Sequence, residues 1–412
     1  MDGIIFSLIL LFLFAVLNYK RKQTWKAPSF FVMGIYLVSL AFAIIHVMVN
    51  KEILINDHSY FFASLFVLFG WCLYLLPFYS FKETSVNEFV FPNLKTLNAI
   101  STVLIVASIW AIIYYTTSVV SVFAYGDLGE ARRGMVAGEV SFIETGFFHT
   151  LAGVVSSMYS ISLLLAFAYM AIGGHKKRVI LLFVSSFSYV LNVLSNVGRD
   201  GAVFWAMSAV FCYLLFNSFI KKDAKKSFRL FAIAAVSLLA VPFMQISFGR
   251  FEDETNSYFI SYLGQPFVNA SFLIGADNIP FQEGRSFPYF LKLLGLEEPQ
   301  NIYWEVPGTN STEFTSFLGS FCVSLGVWGF IIMGILSFIF FKFTVCKKGP
   351  NRFYFHSTLI YLMYFQVMSQ GVFYFRQGNR GGNIFIILML LFYLILKDSP
   401  VYNNAIRIKQ EQ

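Results

Sequence analysis

Two polar stripes inside otherwise apolar sequence are the first features with chemical content. Asn192, Ser195, Asn196 and Arg199 fall at i, i+3, i+4 and i+7, a spacing that puts all four on one face of a helix. Gln366, Ser369, Gln370 and Arg376 form a second stripe of the same kind. Amides and hydroxyls are costly in lipid, so these faces are expected to point into a bundle or a water-filled cavity. Helix–helix hydrogen bonding is the plainer reading of the amides alone. An amide stripe that climbs to an Arg, twice, favours a cavity with an anion site at its mouth. Asn192, Asn196, Gln366 and Gln370 are its expected lining.

Cation types sharpen the anion. Nine cations lie apart from the Lys-rich segments of the chain: Lys51, Arg132, Arg133, Arg199, Arg250, Arg285, Lys292, Arg376 and Arg380. Seven of these nine are Arg, whereas the other 21 are five Arg and sixteen Lys. Arg presents a planar fork that binds phosphate bidentately, which Lys cannot do. The set therefore suggests a ligand with phosphate groups, ion pairing with nearby carboxylates being the alternative for any single Arg. Candidate acids and bases accompany these Arg. They are Glu139 and Glu144 beyond Arg132 and Arg133, His149, Asp200 next to Arg199, and Glu252, Asp253 and Glu254 after Arg250. Glu252, Asp253, His149 and Asp200 are the expected catalytic residues. The acidic triplet lacks a second carboxylate pair to complete octahedral oxygen ligation, and no metal or other cofactor is expected. Cys72, Cys212, Cys322 and Cys346 lie far apart with no metal spacing and read as small core residues.

The elements that must position these groups are membrane helices. The chain has 412 residues, 57% hydrophobic and 13% charged, with 51 Phe and 22 Tyr. Soluble domains carry about 25% charged residues, so a water-soluble globule and a disordered chain are both excluded. Eleven stretches are long and apolar enough to span a bilayer of about 30 Å: roughly 3–19, 29–50, 60–80, 98–121, 147–172, 179–197, 202–220, 230–248, 317–341, 354–374 and 383–396. The segments between them alternate in charge. One set holds 21 of the 30 Lys and Arg with five carboxylates; the other holds nine positives with 17 carboxylates. The positive-inside rule makes the first set cytoplasmic. The net +8 is therefore a topology signal, and nucleic acid falls away as a partner. The expected fold is all-α and polytopic, a single transmembrane domain over 1–412 with about 11 helices. The N-terminus lies outside, and a large periplasmic cap loop covers 249–316. Within the cap, Tyr258, Phe259, Tyr262, Phe267 and Phe272 read as a helix on the bilayer surface, and 287–291 as another interfacial element.

This pattern resembles the bacterial O-antigen polymerases, the oligosaccharide repeat-unit polymerases. The likeness covers most of the chain in architecture. In residues it rests on Ser195–Asp200 with its Gly198-Arg-Asp-Gly201 turn, on Gly249–Arg250, and on Glu313–Gly329 with its Gly-rich run. The resemblance implies an inner-membrane enzyme that joins repeat units built on undecaprenyl diphosphate. Arg199, Arg250 and Arg376 would meet the lipid diphosphate, with Arg132, Arg133 and Arg380 further along the loops. Implied partners are lipid-linked oligosaccharides and membrane lipid, with a chain-length regulator and a flippase. The other classes left open are an O-antigen ligase, a polyprenyl-phosphate-sugar transferase, and a flippase. The last is weakened because no Asp, Glu, Lys or Arg lies mid-span; His46 alone is ionisable at depth.

The charge alternation makes a direct prediction. With the native Cys replaced, a single Cys at position 222 should react with an impermeant thiol reagent only after spheroplasts are opened. Labelling from outside intact spheroplasts would reverse the orientation.

Overall fold

The computed structural model describes residues 1–49, 58–143, 146–251, 255–297, 303–310, 313–346, 351–397 and 406–407. The chain begins with α1 (Asp2–Lys22), α2 (Pro28–Val49), α3 (His58–Ser80), a short β1 (Glu88–Val90) and the long α4 (Leu94–Ala124). Next come α5 (Leu128–Ala137), α6 (Phe147–Ser157), α7 (Tyr159–Ile172), α8 (Lys176–Ser186), α9 (Ser188–Leu194), α10 (Asp200–Phe216) and α11 (Lys222–Phe251). The remainder is α12 (Thr255–Gly275), α13 (Pro288–Leu293), β2 (Glu305–Val306), β3 (Thr309–Asn310), α14 (Ser316–Phe341), β4 (Arg352–Tyr354), α15 (Phe355–Gly371), α16 (Arg380–Lys397) and β5 (Ile406–Arg407). Among the described residues, eight helices are long and apolar enough to cross a membrane, by length and composition. Val103, Val106 and Ile113 of α4 and Phe12 and Leu13 of α1 are each more than half exposed. So much uncovered apolar surface on long helices suits lipid as the solvent. The protein is helical and polytopic.

Expected to form one domain, the chain divides by its contacts into two compact units. Unit 1 holds 1–86, 256–351 and 363–390; unit 2 holds 87–255, 352–362 and 391–412.

Unit 1 has an aromatic core whose hydroxyls are spent on backbone carbonyls. Tyr36 donates to the Met368 carbonyl at 2.9 Å, Tyr74 to that of Phe330 at 2.9 Å, and Tyr364 to that of Tyr74 at 2.8 Å. A buried hydroxyl must find a partner, and a helical carbonyl still has a spare lone pair. The segment expected to lie flat at a surface packs inward instead: Phe267, Val268, Ala270 and Leu273 of α12 are fully buried. Gly264 makes this possible, because a Cβ there would lie 2.4 Å from the Phe42 carbonyl oxygen. Small residues of this kind let membrane helices approach closely.

The expected span 317–341 is not one straight helix. Gly326 has φ +71 and ψ 172 within α14, a conformation open to glycine alone. Leu318 and Phe330 would stand about 18 Å apart on a straight helix. Both pack against Gly70, a Cβ there meeting them at 2.8 and 3.2 Å. The helix therefore doubles back at Gly326. Its first half, 316–325, is a half-helix. The second half, with the π-turn Lys342–Cys346, is about 30 Å long. The break frees two carbonyls, which the preceding loop fills. Gln282 N–H donates to Val323 O at 2.8 Å, and Gly284 N–H to Ser324 O at 2.9 Å.

In unit 2, the stretches 147–172 and 176–194 form a helical hairpin, each arm interrupted once, at Met158 and Phe187. Beside these breaks Tyr159 and Tyr189 stack at 4.2 Å and 10°. Arg178 anchors the hairpin to α4, donating to Asn98 Oδ1 at 2.8 Å and Ser101 Oγ at 2.6 Å. Strand β1 pairs in parallel with β4, Phe89 opposite Phe353, and antiparallel with β5.

One buried ion pair ties the N-terminal helices of unit 1. Lys22 bridges Glu83 at 2.5 Å and donates to Ser29 Oγ at 2.8 Å and Phe78 O at 2.6 Å. A buried charge that loses its partner keeps its full desolvation cost. Glu83→Ala should therefore destabilise the protein by about 3–5 kcal/mol, and the pair Lys22→Met with Glu83→Leu by far less. Thermal unfolding in detergent measures both. Equal losses would mean that the residues act by packing alone.

Candidate functional site

The break in α14 builds a polar site in unit 1. The half-helix starts at Ser316, which has φ +59 although it is not glycine. That conformation costs about 1–3 kcal/mol and persists only where surroundings impose it. Here three bonds impose it. Ser316 N–H donates to Phe373 O at 2.9 Å, its Oγ donates to Gly371 O at 3.0 Å, and Trp71 Nε1 donates to that Oγ at 3.1 Å. Immediately before this knot lies Glu313. Its Oε2 accepts from Asn269 Nδ2 at 2.8 Å and from Thr309 Oγ1 at 3.2 Å. Thr309 is placed by the hairpin of β2 and β3, whose turn uses Gly308 at φ +89.

Phe314 joins this carboxylate to an arginine. It stacks on Tyr374 at 5.6 Å and 18°, and Arg376 donates to the Tyr374 hydroxyl at 2.9 Å. Gln377 Nε2 donates to Gln370 Oε1 at 2.9 Å beneath, and Gln366 is buried in the same stretch. Unit 1 thus combines a carboxylate that accepts from an amide and a hydroxyl, a guanidinium, and aromatic walls of Tyr262, Phe314 and Tyr374. The expected second stripe is corrected in one respect. Helix α15 ends at Gly371, so Arg376 stands on the turn beyond it and not on its face.

The first stripe is corrected likewise. Helix α9 ends at Leu194, and Val197 takes φ +51. Gly198 N–H donates to Val193 O at 2.9 Å and Val197 N–H to Leu194 O at 2.9 Å, the two bonds of a Schellman cap. A β-branched residue occupies the place that glycine ordinarily takes. Gly198 and Gly201 then close onto Val193, where a Cβ on either would come within 2.6 Å of its side chain. This accounts for both glycines of the Gly-Arg-Asp-Gly turn. Arg199 caps α10 and Asp200 is its first residue. Arg132 of α5 donates to the Asn196 carbonyl at 2.9 Å. The Asn196 amide bonds its own helix at Asn192 O, while Asn192 Nδ2 donates to Ser156 Oγ at 2.7 Å.

Other expected site residues fall as follows. Arg133 and Arg380 are exposed, and His149 lies on the first turn of α6, partly buried. Arg250 belongs to α11 by backbone, while Glu144, Glu252, Asp253 and Glu254 lie outside the described residues. Arg132 and Arg199 belong to unit 2 and Arg376 to unit 1. The reading of spacing passed over Glu313 and Asn269. Glu313 was visible only as the first residue of the Glu313–Gly329 motif, and Asn269 carries no spacing signal.

The strained cap is testable. Val197→Gly should relieve the positive φ and raise stability by about 1 kcal/mol, read as a higher melting temperature in detergent. A lower melting temperature would show that burial of the Val197 side chain outweighs its strain.

No protein-family model, curated protein or solved structure matches this chain.

Proposed function

We propose that the chain is a membrane glycosyltransferase that polymerises undecaprenyl-diphosphate-linked oligosaccharide repeat units on the periplasmic face of a bacterial inner membrane. The observation that carries this reading is the joining of Glu313 and Arg376 through Phe314 and Tyr374 at the head of the α14 half-helix. Half-helices that begin inside a membrane protein line substrate sites in other folds. With the Lys-rich segments inside, the turn at Gly326 is the outward end of α14, and the half-helix dips from that turn toward its head at Ser316, beside Glu313.

The chemistry is a displacement. A sugar hydroxyl of one lipid-linked unit attacks the anomeric carbon of the growing glycan. The bond from that carbon to the diphosphate oxygen breaks, and the lipid diphosphate leaves with the electron pair. Glu313 accepts the hydroxyl proton as general base. Arg376 offers a preorganised fork to the charge gathering on the diphosphate. Arg199, Arg250 and Arg132, all of unit 2, remain candidates for binding an anion there. Asn269 and Thr309 orient the Glu313 carboxylate.

Purified protein in liposomes with lipid-linked repeat units should yield a ladder of lengths, also in excess EDTA. Glu313→Gln should slow it about 100- to 10,000-fold. Arg376→Lys, which keeps charge but loses the fork, should cost about 30- to 1000-fold. Near-normal ladders from both variants would place the chemistry elsewhere. Transfer of preformed polymer to a lipid core, without elongation, would identify a ligase.

A further inference from the structure

A second set of polar groups lies wholly in unit 2. Tyr115 of α4 is fully buried and its hydroxyl has no hydrogen-bond partner. Nδ1 of His149 on α6 is also buried without one. The two rings meet edge to face at 6.3 Å and 86°. His149, Gly153 and Ser156 share one face of α6, and a Cβ on Gly153 would lie 3.7 Å from the Tyr115 hydroxyl. Ser156 sits beside Tyr115 but is already engaged. It donates to Gly153 O at 3.0 Å and accepts from Asn192 Nδ2 at 2.7 Å. A buried hydroxyl left unbonded costs about 1–3 kcal/mol, so a cluster with two such atoms is built for a visitor.

The geometry points to a binding site for the uncharged, hydroxyl-bearing headgroup of a membrane lipid, such as the sugar of a glycolipid. Three observations choose this ligand. First, an alcohol both donates and accepts, so one hydroxyl answers the Tyr115 hydroxyl and either tautomer of His149. Phosphate or carboxylate oxygens only accept. Second, the cluster of Tyr115, His149, Ser156 and Asn192 contains no guanidinium, ammonium or carboxylate. Third, the exposed surface beside the cluster is apolar. Phe147 and Phe148 start α6 and are largely exposed, and Trp110 packs on Phe148 at 6.4 Å. Such rings suit the boundary between hydrocarbon and headgroups. Tyr115 stands about 30 Å along α4 from Lys95, one hydrocarbon thickness from the basic end of that helix. The site would stand without the transferase activity, because nothing in it belongs to unit 1.

The test uses the full-length protein in lipid nanodiscs and an alkyl glucoside with a photoreactive diazirine on its chain. Adducts should map by mass spectrometry to 107–115 or 147–156. Unlabelled alkyl glucoside should suppress them, and alkyl phosphate of the same length should not. Tyr115→Phe combined with His149→Gln should reduce labelling about fivefold or more, the loss of one hydrogen bond or better. Tyr115→Phe alone should leave the melting temperature without probe nearly unchanged, because the hydroxyl neighbours Ser156 but has no partner at hydrogen-bond distance. Gly153→Ala is a second variant. It favours the helix, sets a methyl beside the Tyr115 hydroxyl, and should lower labelling in a folded protein. Undiminished labelling in the variants would mean that these atoms hold water only. Equal competition by alkyl phosphate would mean that the face takes chains without reading headgroups. Either result overturns the proposal.

Discussion

A polar group that this chain buries depends on the protein for a partner, because hydrocarbon supplies none. Much of unit 1 follows from that constraint. Its tyrosines send hydroxyls across to carbonyls on neighbouring helices, so helix register is read by hydrogen bonds and not only by ring packing. Lys22 is admitted to the interior because a carboxylate, a hydroxyl and a carbonyl receive it. The same rule governs the broken helix α14. The carbonyls of Val323 and Ser324 are released by the turn at Gly326, and two amides of the 282–284 segment take them up. The break is therefore bound to the loop that precedes it.

Strain sits beside the groups with chemical potential. Ser316 and Val197 both take left-handed backbone conformations without being glycine. One introduces the half-helix next to Glu313. The other ends α9 just before Arg199 and Asp200. Each is held by surrounding bonds, and each sets the direction in which the chain re-enters a helix. A straight helix through Val197 would carry Arg199 around its axis; the cap projects it past the end instead, as the turn after Gly371 does for Arg376. Strain of this sort is a reason to look for function there, and the Glu313 carboxylate, held by Asn269 and Thr309, is the chemical reason in unit 1. A carboxylate held by an amide and a hydroxyl is oriented without being neutralised by those donors, which suits a base.

Composition, apolar run length and charge alternation made the solvent legible. A chain so apolar, with its lysines gathered into alternate loops, had to be a helical membrane protein, since backbone in lipid satisfies itself locally only in a helix. The two polar stripes were legible as well, since helical periodicity is local. Where they ended was not. Helix α9 stops at a cap with Val in glycine's usual place, which no local rule marks; α15 stops at Gly371, a stop signal masked by the apolar run that continues past it, five residues before Arg376. The fold-back of α14 was hidden because Gly326 is one glycine among several in an apolar run, and its conformation is set by what packs on Gly70. Glu313 was hidden for a related reason. Its partners Asn269 and Thr309 are brought to it by α12 and by the β2–β3 hairpin, across gaps that no periodicity spans. Residue types and local periods are properties of the chain, whereas the meeting of one carboxylate with an amide and a hydroxyl from distant elements is a property of packing, and only the tertiary structure decided it.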